Sequence, residues 1–228
     1  MKKLNQYIFK KRVQKYLQQS TRNKRFVDYN NANSVLLVFE SDYIEKNRFI
    51  RKVISQLTAD GKKVSAWGFL DKKLVNTAIL PNFKIMDRTT TDWFECPKEQ
   101  FIKELQEEEY DLLIDLSLND HLPLQYINLY ANAAFKTGMS RSMNEVMDFV
   151  IQIEPPEKVE NTAEEENKIE FEDINESLFH TDQQFLFEQI IFYLKKILQN
   201  IPGFAFGRCY IHNFQQFIFV QKLFNRFL

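Results

Sequence analysis

The chain has 228 residues, 44% hydrophobic and 27% charged, with 30 basic and 31 acidic side chains. That balance suits one globular α/β domain with appendages, and five Gly and six Pro exclude collagen-like and Gly/Pro-rich low-complexity classes. Two distant cysteines, Cys96 and Cys209, give no disulfide framework and point to reduced thiols in a cytoplasmic setting.

Charge is unevenly spread. Residues 1–25 hold nine basic side chains (Lys2, Lys3, Lys10, Lys11, Arg12, Lys15, Arg22, Lys24 and Arg25) and no acid. The start Met1-Lys2-Lys3-Leu4 is like that of a signal peptide, but the apolar run 4–9 is too short and Lys10-Lys11-Arg12 follow at once. Read as a helix, the segment groups Leu4, Tyr7, Ile8, Lys11 and Lys15, with Phe9, Val13, Tyr16 and Leu17 close by. Such a helix can dock its apolar side on the body and turn lysines outward.

The body alternates strands and helices. Val35-Leu36-Leu37-Val38-Phe39 is the continuous apolar run of a strand buried on both faces. A helix follows, with Asp42 and Glu45 in capping-box positions, an apolar stripe of Phe49, Ile50, Val53, Ile54 and Leu57, and Gly61 at a left-handed C-cap. Val64 to Phe69 and Phe83 to Met86 read as strands, and 98–108 as a helix carrying Phe101, Ile102 and Leu105. Asp111 to Leu116 is the clearest strand. Pro123 opens a helix running to about Ala134, and Phe135-Lys136-Thr137-Gly138 reads as a short strand. Met147 to Ile153 alternates like a peripheral strand, and helix 182–199 carries Leu186, Ile190, Tyr193, Leu194 and Ile197. This order predicts a single three-layer Rossmann-like α/β domain with a mainly parallel sheet over about 33–200, preceded by a basic N-terminal helix and linker, 1–32.

Two appendages depart from the body. Residues 155–176 carry nine acids against Lys158 and Lys168, the composition of a disordered loop, or of one that folds back on the basic helix to compete with an external polyanion. Residues 201–228 hold eight aromatics and no acid, and Ile211, Phe214, Phe217, Ile218, Phe224 and Phe227 follow helical spacing. That stripe reads as an aromatic-rich helical tail, packed on its own core or exposed for a protein partner or membrane surface. No run reaches ~18 uninterrupted apolar residues, so no transmembrane segment is expected.

The run Tyr110 to Leu116, the Pro-led helix ending Ala133-Ala134, and Phe135-Lys136-Thr137-Gly138 resemble an uncharacterised family of short Rossmann-like proteins from Bacteroidota. The basic N-terminal helix, the Val35–Phe39 strand and Gly61-Lys62-Lys63-Val64 through Gly68-Phe69 fit that family too. The resemblance implies the fold and brings no activity. Segment 110–138 is also similar to the N-terminal half of heptosyltransferase-type GT-B glycosyltransferases; it spans under thirty residues and lacks the second nucleotide-sugar-binding domain, so transferase chemistry is not implied.

The motifs of common site chemistries are missing. The first strand is followed by Glu40-Ser41-Asp42-Tyr43, with no glycine to admit a pyrophosphate. Gly203-Phe204-Ala205-Phe206-Gly207 lacks a preceding strand and a phosphate-loop lysine. His121, His180 and His212 are widely spaced and do not suggest a metal, and no cofactor is expected. What remains is the carboxyl edge of the sheet, with Ser41, Asp42, Ser117, Asn119, Asp120 and Gly138 as ligand-edge residues and Asp115 with His121 as an acid/base pair. Capping and turn formation account for the same residues, with Asp120 as cap of the Pro123 helix.

Two readings follow. In the first, the protein is a non-catalytic binding or adaptor protein that docks on a polyanionic assembly, an anionic membrane surface or a protein partner. RNA, DNA or anionic lipid would meet residues 1–25, and a protein partner would meet 211–228. Its place is the cytoplasm, peripherally attached to a membrane or large assembly. In the second, it is a nucleotide- or sugar-nucleotide-binding protein, or a degenerate transferase-like enzyme, working at the sheet edge. The missing glycine loop and unpaired histidines favour the first.

Overall fold

A computed structural model describes residues 2–20, 22–42, 45–72, 82–141, 144–153, 182–196 and 218–219. The elements in chain order are α1 (Lys2–Gln19), β1 (Ser34–Glu40), α2 (Glu45–Ala59), β2 (Lys63–Leu70) and β3 (Phe83–Asp87). There follow α3 (Glu99–Glu107), β4 (Glu109–Asp115), α4 (Leu122–Tyr130), β5 (Asn132–Met139), β6 (Phe149–Ile153), α5 (Gln183–Lys196) and β7 (Ile218–Phe219).

The sheet runs in the order β3-β2-β1-β4-β5-β6-β7. Strands β1 to β6 pair in parallel, as crossover connections require, and β7 adds two residues antiparallel to β6. The fold is therefore the Rossmann-like α/β arrangement read from the sequence. Chain order reverses between β1 and β4, which makes their carboxyl ends the topological switch point.

Alternation along β1 sorts the two faces. Val35, Leu37 and Phe39 pack with Ile50, Val53 and Leu57 of α2 and with Leu186, Ile190 and Leu194 of α5. Leu36 and Val38 face the other way, onto Leu105 of α3 and Leu124 and Ile127 of α4. Both faces of β1 are thus dry, which explains its unbroken apolar run. Gly68 of β2 is needed beside β1, since a Cβ there would lie 2.6 Å from the Phe39 ring. Gly61 adopts φ +78° after α2, the left-handed C-cap expected from the sequence.

Helix α1 forms an extra layer outside α4. Phe9 and Val13 are buried with Cys96, Leu122, Tyr126 and Leu129, while Tyr16 and Leu17 pack at the margin. Phe9 meets Tyr126 edge-on at 4.7 Å, and Tyr16 meets Tyr130 at 5.5 Å. The inward face is therefore Asn5, Phe9, Val13 and Tyr16, whereas Leu4 and Tyr7 of the expected apolar group point to solvent. The linker after α1 then crosses the amino edge of the sheet. Arg22 forms a bidentate ion pair with Asp148 at 2.5 and 2.8 Å and also donates to the Ala133 carbonyl, and Arg25 pairs with Asp111 at 2.8 Å.

Two boundaries differ from the sequence expectation. Helix α4 stops at Tyr130 instead of Ala134, and β5 starts at Asn132 instead of Phe135. Pairing of Glu109 with Asn132 and Tyr110 with Ala133 draws the alanines into the sheet, against their helix propensity. Buried Lys136 closes the helix, donating to the carbonyls of Asn128 (2.6 Å) and Leu129 (3.3 Å). The tail is expected to be helical, yet Ile218–Phe219 form a strand on the edge offered by β6. The acidic stretch 155–176 and the other residues of 201–228 lie outside the described residues.

Candidate functional site

The register sets Val38 beside Asp115 and Asp115 beside Gly138, so three strand ends meet at one edge. Asp115 is 1% exposed, and its carboxylate is fully engaged. Oδ1 accepts from the Ser117 backbone N–H (2.8 Å) and hydroxyl (2.5 Å). Oδ2 accepts from Asn128 Nδ2 (2.6 Å) and lies 3.1 Å from the Arg141 guanidinium, which also donates to the Ser117 carbonyl. The cluster binds the end of β4 to α4 and to the turn after β5. A Cβ on Gly138 would sit 3.0 Å from Asp115 Cβ and 3.1 Å from its carbonyl oxygen, so the glycine allows this close approach.

His121 belongs to a different group. Its Nε2 lies 3.3 Å from the buried Glu40 carboxylate, which also accepts from Asn119 Nδ2 at 2.9 Å. The structure therefore does not join Asp115 and His121 as the acid/base pair considered from the sequence. Asp120 does not cap α4 either: the N-cap is His121, without a side-chain cap bond, and Asp120 accepts from Gln125 Nε2 at 2.9 Å. Ser41 donates to Asn47 Oδ1 (2.9 Å), and Asp42 is exposed at the same edge.

A cavity of about 20 Å³ lies at this edge, lined by Asp115, Asn128 and Arg141 among others, and has room for about one water molecule. Among the described residues, no group of three or more His, Cys, Asp or Glu side chains is placed to hold a metal ion. The edge thus locks the strand ends through the Asp115 and Glu40 carboxylates, while among the described residues the buried Asn128 Oδ1, Thr137 Oγ1 and Arg141 Nε atoms have no hydrogen-bond partner. Glu40, Asn128 and Arg141 are its unforeseen members. Of these only Glu40, a charge closing a buried apolar strand, left a signal in the sequence.

The basic segment is arranged differently. Opposite the docked face of α1, Lys3, Lys10, Lys11 and Lys15 are all exposed, together with Leu4 and Tyr7. The ammonium of Lys11 lies 5.8 Å from the Tyr7 ring centroid. The arginines turn elsewhere: Arg12 lies over Tyr126 at 5.4 Å, and the Arg22 side chain, 5% exposed, is taken by Asp148. Arg25 pairs with Asp111, and Lys24 stands 4.0 Å from Asp148. Lys2 opens the helix. On the opposite flank of the molecule, Phe49, Lys52, Phe187, Phe192 and Lys195 line an open groove of about 480 Å³ between α2 and α5.

The strand order, the crossovers and the filled switch point define a doubly wound α/β protein with an added outer helix. Residues 4–169 match the family described as Family of unknown function (DUF6913). The match covers well over half of the chain, which therefore belongs to that family. No curated protein and no solved structure matches it.

Proposed function

We propose that the protein is a non-catalytic docking module that attaches to a polyanionic surface through α1. One observation carries the reading: α1 is pinned by Phe9 and Val13, which holds Lys3, Lys10, Lys11 and Lys15 outward in a segment without a single acid. A folded helix presents these charges at fixed spacing, so little ordering entropy is lost on binding. The carboxyl edge is consistent with the same reading, because the Asp115 and Glu40 carboxylates are both held by neighbouring side chains beside a one-water cavity. The groups there act as braces.

The test compares the full chain with a variant carrying Lys→Gln at positions 3, 10, 11 and 15, by sedimentation through lysate of its own cells at low and high salt. These side chains are exposed, so the variant keeps the fold. Salt-sensitive co-sedimentation of the wild type, lost in the variant, is the expected result. Equal sedimentation of both proteins would overturn the reading.

A further inference from the structure

We propose that the anionic surface is a lipid bilayer, and that Trp93, Tyr7 and Leu4 enter its headgroup layer while the lysines of α1 meet the lipid phosphates. This inference rests on the docking role of α1.

Among the described residues, large exposed apolar side chains concentrate on α1 and the turn that it holds. They are Leu4, Tyr7, Trp93, Phe94 and Phe192, and all but Phe192 belong to α1 or to the turn between β3 and α3. Leu4 is 56%, Tyr7 59% and Trp93 90% exposed. The turn is attached to α1, since buried Asn5 donates from Nδ2 to Glu95 Oε1 (3.0 Å) and to the Trp93 carbonyl (3.5 Å).

The turn is also held tightly. Asp92 Oδ1 accepts from the backbone N–H groups of Phe94 (2.7 Å) and Cys96 (3.0 Å), and Asp92 N–H donates to the Cys96 carbonyl (2.8 Å). Thr91 and Pro97 form a bridge at its base. Glu95 takes φ +61°, a left-handed conformation unfavourable for a residue with a Cβ, and its side chain is the one that holds Asn5. The result is an indole presented to solvent by a braced turn beside a basic helix.

Indole and phenol rings favour the membrane–water interface, where one part of the ring meets lipid and the other meets water. Lysines near them gain from the negative potential of anionic lipid, and their stems can lie along the apolar layer. Nucleic acid would be served better by arginine, whose planar fork reads phosphate and guanine in bidentate fashion. Here Arg12 lies over Tyr126 and Arg22 is taken up by Asp148, Arg25 is outside α1 and pairs with Asp111 at the surface, and the charged groups on the exposed side of α1 are all lysines. That division favours a bilayer over RNA or DNA.

Trp93 supplies its own readout, because the other tryptophan, Trp67, is 3% exposed in the core. The full chain is mixed with vesicles of phosphatidylcholine alone, with vesicles of phosphatidylcholine and phosphatidylserine, and separately with single-stranded RNA. Flotation reads binding, and tryptophan emission reads the environment of Trp93. The expected result is flotation with the anionic vesicles only, together with a blue shift that Trp93→Phe abolishes. Trp93→Ala should weaken vesicle binding about tenfold or more while leaving the melting temperature unchanged. Binding to RNA without vesicle binding overturns the bilayer and keeps the docking role of α1. Flotation without a Trp93 shift overturns the insertion of this turn. Binding to neither overturns both.

Discussion

The Arg22–Asp148 pair offers a stringent test of how the N-terminal segment is fastened. Both side chains are nearly buried, at 5% and 10% exposure, and two parallel N–H···O bonds join them. Asp148 Oδ2 also accepts the Lys136 backbone N–H at 2.9 Å, so the carboxylate links the linker after α1 to β5. Asp148→Ala leaves a nearly buried guanidinium with the Ala133 carbonyl as its remaining partner. Losing one partner of a buried pair costs about 3–5 kcal/mol, which lowers the melting temperature of a chain of this size by roughly 6–20 °C. Arg22→Met should cost less, because Asp148 keeps the Lys136 N–H and has Lys24 4.0 Å away. The double variant should fall short of the sum of the single ones by about 0.5–3 kcal/mol. Urea unfolding of the four proteins, followed by circular dichroism, gives these values. A loss under about 1 kcal/mol for Asp148→Ala would show that the pair is solvated and not a fastening.

Three further outcomes follow from the packing. Gly68→Ala drives a methyl into the Phe39 ring and should destabilise by about 1–3 kcal/mol, read by urea unfolding; a neutral result would mean that β1 and β2 yield. Phe9→Ala removes the ring that anchors α1 on Tyr126 and should cost about 3–5 kcal/mol, with faster proteolysis ahead of residue 20; unchanged protection would place the anchor elsewhere. Burial first, then nearby acceptors, raises the phenols of Tyr29 and Tyr110 above the ordinary value of 10.0, and burial raises those of Tyr126 and Tyr130. The unfolded chain therefore ionises first, so stability is intact below pH 10 and falls as pH climbs beyond it. Tyrosinate absorbance for these groups should rise together with loss of ellipticity, and a rise well before unfolding would contradict the burial.

The sheet was legible because its strands are buried on both faces. Val35 to Phe39 and Leu112 to Ile114 read as continuous apolar runs, and the helix stripes between them follow the 3.6 period. The α4–β5 boundary was not legible. Ala133 and Ala134 favour helix locally, and the pairing of Asn132 with Glu109 and of Ala133 with Tyr110 makes this stretch strand. At the edge, Ser117 and Asp115 follow from their place at the end of β4, yet their partners Asn128 and Arg141 lie 13 and 26 positions away from Asp115 in sequence and have no motif. Glu40 took His121 for a similar reason: only the adjacency of β1 and β4 brings them together. The orientation of α1 was half legible. Its lysines were placed outward from charge alone, but its inward stripe begins at Asn5, because a polar side chain is needed there to hold the 92–96 turn.

The docking role of α1 stands or falls on its electrostatics, so the most direct measurement is affinity for heparin, a sulfated polyanion, across a salt series. Each phosphate-like contact by a lysine releases about one counterion, which makes log affinity fall linearly with log salt. For the wild type a steep fall is predicted, with a slope shallower by roughly three to four after Lys→Gln at positions 3, 10, 11 and 15. Equal slopes for the two proteins would contradict the account, because the outward lysines of α1 would then make no contact with the polyanion.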